Sequence, residues 1–150
     1  MSLKAKLQSD LTESIRSRDE LRSSTIRMVL TSITNEEVAG KEARVLSDTE
    51  VIAVLTREAK KRREAAEAFT QGGAADRADR EIAEGKVIAE YLPEQLTDDE
   101  LATLIKEAIA ETGATGPSGM GLVMKYLQPK IAGRADGSKV SSAVKSALSN

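Results

Sequence analysis

The stretch that decides the fold class is Ser118-Gly-Met-Gly-Leu-Val-Met-Lys-Tyr-Leu-Gln-Pro-Lys-Ile-Ala-Gly-Arg-Ala-Asp-Gly-Ser-Lys-Val-Ser-Ser-Ala-Val-Lys-Ser-Ala-Leu148. Met120, Val123, Met124, Leu127 and Ile131 recur at helical spacing and make one apolar stripe. Pro129 lacks an N–H and is expected to kink or shorten that helix near its end. Gly133 suits a position just past the helix, because it takes positive φ at no steric cost. Asp136 is placed to accept a backbone N–H and cap a second helix. Val140, Val144 and Leu148 form the stripe of that helix. The exposed remainder is basic, with Lys125, Lys130, Arg134, Lys139 and Lys145 against the single acid Asp136. This is a small cationic helical module.

Working back from it, Ala114 to Gly119 reads as a glycine–proline turn. Before the turn, Leu101, Leu104, Ile105, Ala108 and Ile109 make a helical stripe that Gly113 ends. Thr97-Asp98-Asp99-Glu100 opens that helix as a capping box, with acids where the helix dipole favours them. Tyr91-Leu92-Pro93-Glu94-Gln95-Leu96 is the expected hinge, since Pro93 biases Leu92 away from helical geometry.

Four helices are expected upstream of the hinge. The first carries Leu3, Leu7, Leu11 and Ile15 inward, with Asp10 and Glu13 outward. A capping box at Ser17 and Glu20 opens the second, which carries Leu21, Ile26, Val29, Leu30, Ile33 and Glu37 and stops at Gly40. Ser47 with Glu50 caps the third. Its stripe is Ile52, Leu55, Ala59, Ala66 and Phe69. Arg62 lies on that stripe, where its stem can pack while its guanidinium reaches an edge or a carboxylate. Gln71-Gly72-Gly73 breaks it. The fourth, about Ala75 to Ala89, is polar except for Ile82, Val87 and Ile88. No segment alternates convincingly as a strand. The reading is all-α: residues 1–92 a bundle of long helices, residues 96–150 a compact three-helix domain.

The chain has 150 residues, net charge −2 and a pI near 5.4. That length supports one domain or two small ones. The charge argues against indiscriminate coating of nucleic acid or anionic membrane. It conceals an asymmetry, however: residues 91–116 carry a net −5 and residues 117–150 a net +4. Cysteine and histidine are absent. This excludes disulfides, thiol nucleophiles, imidazole bases and Cys/His metal sites, and fits a reducing cytoplasm. The N-terminus lacks a signal-peptide apolar core, and no run reaches membrane-span length. No catalytic, cofactor-binding or metal-binding residue stands out.

The basic tail residues are candidate phosphate contacts, because several cations on one surface neutralise backbone charge and release counterions. Arg57-Glu-Ala-Lys-Lys-Arg-Arg-Glu64 is a second candidate, through Lys60, Lys61 and Arg63. A surface ion-pair network on a long helix is the preferred account of it. The glycines at 113, 116, 119 and 121 lack the strand and the Gly-Lys-Ser/Thr ending of a phosphate-binding loop. Adjacent acids such as Glu36-Glu37 point about 100° apart on a helix and do not converge.

Three stretches resemble the GatB/YqeY-like family: Thr25 to Val38, Glu58 to Phe69 leading on to Glu90-Tyr-Leu-Pro-Glu-Gln-Leu-Thr97, and Met120 to Gly137 with its Gly-Arg-Ala-Asp-Gly turn. The resemblance is to stand-alone members and covers the whole chain. It implies an all-α structure with a C-terminal part similar to the tail of the B subunit of the tRNA-dependent amidotransferase, where the tail contacts tRNA. The positions that match are Gly133-Arg134-Ala135 and the helix after them. The amidotransferase usually continues with Asn and Pro where this chain has Asp136 and Gly137. The expected role is a cytoplasmic accessory protein docking tRNA or a tRNA–enzyme complex. Two alternatives stay open: an amidase or amidotransferase, a carbon–nitrogen ligase using glutamine on aminoacyl-tRNA, and an adaptor for a protein partner.

Overall fold

The computed structural model describes residues 1–149, and among these it contains helices and turns but no strand. The helices are α1 (Leu3–Arg16), α2 (Glu20–Glu37), α3 (Asp48–Gln71), α4 (Ala75–Ala89), α5 (Asp98–Thr112), α6 (Met120–Ile131) and α7 (Gly137–Ser149). A 3-10 turn, Pro117–Gly119, precedes α6. The chain divides into two compact units, Met1–Leu92 and Pro93–Asn150, each with its own hydrophobic core. No described helix is long and apolar enough to cross a membrane.

In the first unit, α3 and α4 form a hairpin that turns at Gly72 and Gly73, the latter at φ 76°. α2 packs on both of them and α1 closes against α2 and α3. Leu7, Ile26, Ile33, Leu55 and Ile88 are almost fully buried at its centre. Ser47 and Glu50 make the expected reciprocal cap of α3. Of the expected α3 stripe only Leu55 and Ala66 are buried, while Ile52, Ala59 and Phe69 are half-buried. Val51, Val54 and Glu58 complete the buried face, one position round the helix from Ile52 and Ala59.

Three local expectations need correction. Ile15 is 49% exposed, and Ser14 is buried instead. A four-residue repeat advances about 40° around a helix per step, so Ile15 has rotated off the face that Leu7 occupies. The Ser14 hydroxyl is satisfied by donating to the Leu11 carbonyl (2.8 Å) and accepting from Ser23 (2.9 Å). Second, Ser17 ends α1, and Asp19 caps α2 by accepting from the Arg22 N–H. Arg18 takes φ 60° to make the reversal between them. Third, Asp10 faces a partner and not open solvent: the Tyr91 hydroxyl donates to its carboxylate at 2.6 Å.

Charged groups tie the helix ends of this unit. Glu37, buried, accepts from Lys4 (2.6 Å) and from the Leu46 N–H (3.2 Å). These bonds, Lys4 first, hold its carboxyl below the usual range. The Leu3 N–H donates to Asp48 at 2.9 Å. Tyr91 joins three helices: it donates to Asp10 of α1 and accepts from Arg22 of α2 (3.0 Å), which also pairs with Glu90 at 2.5 Å. Burial and the Asp10 charge push the Tyr91 phenol up.

The second unit is a three-helix bundle. Thr97 caps α5 by accepting from the Glu100 N–H, and Gly113 ends it in the left-handed region at φ 67°. Gly119 is required by space, since a Cβ there would lie 2.6 Å from that of Ala114. Pro129 falls in the last turn of α6, two residues before its end. Gly133 takes φ 72°, and Asp136 accepts from the Ser138 N–H at the start of α7 (3.0 Å). Val123, Leu127, Val140 and Val144 are wholly buried, with Leu101, Ile105, Ile131 and Leu148 around them. Met120 and Met124 only border this core.

Replacing Tyr91 by Phe should cost the first unit about 1.5–3 kcal/mol near neutral pH, the range for hydrogen bonds to charged groups. Asp10 is held below its ordinary value, first by the Tyr91 bond, then by Lys6 and Arg22. Its contribution is therefore full above about pH 4 and is lost as pH falls through the lower folded pKa. Denaturant unfolding of both proteins from pH 7 to pH 2.5 should show the gap between them closing in acid. A gap independent of pH would remove Asp10 from the account.

Candidate nucleic-acid interface

The five expected phosphate contacts of the C-terminal unit do not share one face. At about 100° per residue, Lys139 and Lys145 lie about 120° apart around α7, one on each side of its buried stripe. Lys125 and Lys130 lie about 140° apart around α6, with Lys125 opposite the buried stripe. Lys125 and Lys145 are exposed, and neither side chain has an ion pair among the described residues.

Three of the five are engaged. The Arg134 Nε donates to the Glu94 carbonyl at 3.0 Å, and its Nη2 lies 4.0 Å from a Glu100 carboxylate oxygen. Lys139 pairs with Asp98. Lys130 donates to the Tyr126 hydroxyl at 3.1 Å and sits 4.6 Å from the centre of its ring. Tyr126 raises the Lys130 pKa, with smaller contributions from Glu107 and Glu111 of α5. The acidic segment before the tail thus lies against several of the cations that follow it.

Arg134 also belongs to a clasp. The Leu96 N–H donates to the Arg134 carbonyl at 2.8 Å, and the Gln95 amide donates to the Gly133 and Pro93 carbonyls, each at 2.8 Å. The segment Pro93–Leu96 and the Gly-Arg-Ala-Asp-Gly turn, about 40 residues apart in the chain, are therefore laced together. Two motifs that stand out separately in the sequence form a single structural element. Sequence reasoning missed Glu94, Gln95 and Leu96 as partners of the turn; the distinctive composition of both stretches was the available signal.

On α3, Lys60 lies 4.0 Å from Glu64, Lys61 bonds Glu58 at 3.1 Å, and Arg57 pairs with Glu36 at 3.2 Å. Arg63 is exposed. Arg62 turns inward, as expected. Its side chain is 12% exposed and meets Glu58 and Glu84 (each 3.3 Å) and Glu81 (3.6 Å). Ser32 adds a bond to Glu58 at 3.1 Å, and Arg80 reaches Glu84 at 3.3 Å. Most of this helix's cations face carboxylates. Among the described residues no group of three or more acids is arranged to hold a metal ion.

Comparison with known proteins adds two findings. A family model described as Yqey-like protein matches residues 4–148. An uncharacterized protein of the yeast Schizosaccharomyces pombe is 31% identical over 98 residues, which is 65% of this chain and 77% of the yeast protein.

The clasp generates a test of the role of Arg134. Arg134→Gln should destabilise the second unit by about 1.5 kcal/mol, the low end for a hydrogen bond to a charged group, since this one is exposed. Arg134→Lys should not restore it, since an ammonium on a flexible stem does not reproduce the planar guanidinium donors. Thermal and denaturant unfolding measure both. Unchanged stability in Arg134→Gln would show that the clasp does not need this side chain.

Proposed function

Because the chain belongs to the Yqey-like protein family, we propose that it is an accessory protein that docks tRNA, or a tRNA–enzyme complex, through its C-terminal helices. The kinship of that part to the tail of the tRNA-dependent amidotransferase B subunit motivates the choice of RNA. The observation that carries it is the family match over residues 4–148; the lysines left without a carboxylate supply its candidate contacts. Lys125 and Lys145 extend from α6 and α7 without a carboxylate, and Lys130 has a tyrosine hydroxyl as its hydrogen-bond partner. These three are the phosphate contacts of the proposal. Arg134 and Lys139 support the helices that carry them. Lys60, Lys61 and Arg63 on α3 are auxiliary, since Lys60 and Lys61 already have carboxylate partners.

Few contacts on a protein of net charge −2 imply modest affinity with a shallow salt dependence. Each neutralised phosphate contributes a slope of about −0.9 in log K against log salt for duplex nucleic acid. Gel-shift or filter binding with total tRNA across salt concentrations should give a slope of about −2 to −3. Lys125→Glu with Lys145→Glu should lower its magnitude by about 2 while leaving helicity and melting temperature unchanged. Absence of binding at low ionic strength would defeat the reading, as would binding that ignores these two substitutions.

A further inference from the structure

Between α5 and α7 runs a groove of about 320 Å³. Its floor is aliphatic, from Leu101 and Ile105. One edge is Asp98, Ala102 and Lys106, at four-residue spacing along α5. The other is Lys139, Ala143 and Ala147, at the same spacing along α7. Eight residue steps along each edge span about 12 Å, or two turns. Small side chains at the middle of both edges leave room for another helix to lie at the 8–10 Å separation of packed helices. The volume is about twice the ~150 Å³ apolar cavity that accepts a benzene molecule. That is space for two aliphatic side chains.

The rim selects by charge. At one end Asp98 is already bound by Lys139. At the other end Lys106 is exposed, with no hydrogen-bond or ion-pair partner among the described residues. The uncompensated charge beside the apolar floor is therefore positive. The floor has no aromatic ring on which a base could stack, so an RNA strand gains little from it.

We propose that this groove docks an acidic amphipathic helix of another protein. Two aliphatic side chains one turn apart fill the floor, and a carboxylate a further turn along pairs with Lys106. This is helix-in-groove recognition, with the apolar contact supplying affinity and Lys106 fixing direction and register.

The probe is a stapled helical peptide of about four turns, with leucines at i and i+4 and a glutamate one turn beyond, titrated into the isotope-labelled full chain. Amide shifts should concentrate on Leu101, Ala102, Ile105, Lys106, Ala143 and Ala147. Lys106→Glu should weaken binding about five-fold, the upper range for a surface ion pair. A peptide carrying lysine in place of the glutamate should recover that loss. Ala143→Arg should abolish binding with helix content intact. Absent shifts, shifts elsewhere, or indifference to the Lys106 charge would overturn the proposal. So would a concentration-dependent dimer dissolved by Ala143→Arg, which would assign the groove to a second copy of this chain.

Discussion

Two small cores built almost wholly from aliphatic side chains must be locked by something other than bulk burial, and here charged hydrogen bonds at the helix ends do it. Nonpolar contact is non-directional, so it holds helices together without fixing where each begins and how the loops return. Charge-assisted bonds are directional and stronger than neutral ones. Glu37 joins α1 to the loop before α3, Tyr91 gathers Asp10, Arg22 and the end of α4, and Arg134 closes the second unit onto Glu94. Each sits where a chain segment enters or leaves a helix.

This division of labour changes what the charges say about function. A count of lysines and arginines treats every cation as available. The structure assigns many of them to carboxylates first: Arg62 to three glutamates, Arg22 to Glu90, Lys139 to Asp98. An engaged cation still contributes to the field, but its partner cancels most of that contribution beyond a Debye length. The cations that matter for a polyanion are the few left over, and Lys125 and Lys145 are the clearest. Lys130 joins them because its hydrogen-bond partner is a tyrosine hydroxyl and not a carboxylate.

The polar cluster around Arg62 shows the cost side. Arg62 Nε and one Glu81 oxygen are buried without a hydrogen bond, though they lie 3.6 Å apart as an ion pair. Such clusters are weak evidence of net stability, because desolvation offsets the attraction. Their geometric demand is strict, however. An arginine whose guanidinium meets Glu58 on its own helix and Glu81 and Glu84 on α4 sets the register of the hairpin more sharply than aliphatic packing does.

The sequence alone determined the all-α class, the helix boundaries marked by Ser47, Gly72-Gly73, Thr97, Gly113 and Gly133, and most of the buried residues. These follow from local causes: capping, positive φ and a period of 3.6. It placed the Arg62 stem on the buried face of α3 and left its guanidinium to an edge or a carboxylate; packing against α4 decided for glutamates. Ile15 and Ser17 were misread for an equally physical reason. The four-residue drift of about 40° per step carries Ile15 off the Leu7 face, and the left-handed turn at Arg18 moves the cap from Ser17 to Asp19. Only the tertiary structure decided which cations remain exposed without a carboxylate partner. Arg134 reaches back about 40 residues to Glu94, and Lys139 a similar distance to Asp98. No local pattern encodes which acid a long flexible side chain will meet, because that choice is made by the packing of helices distant in sequence.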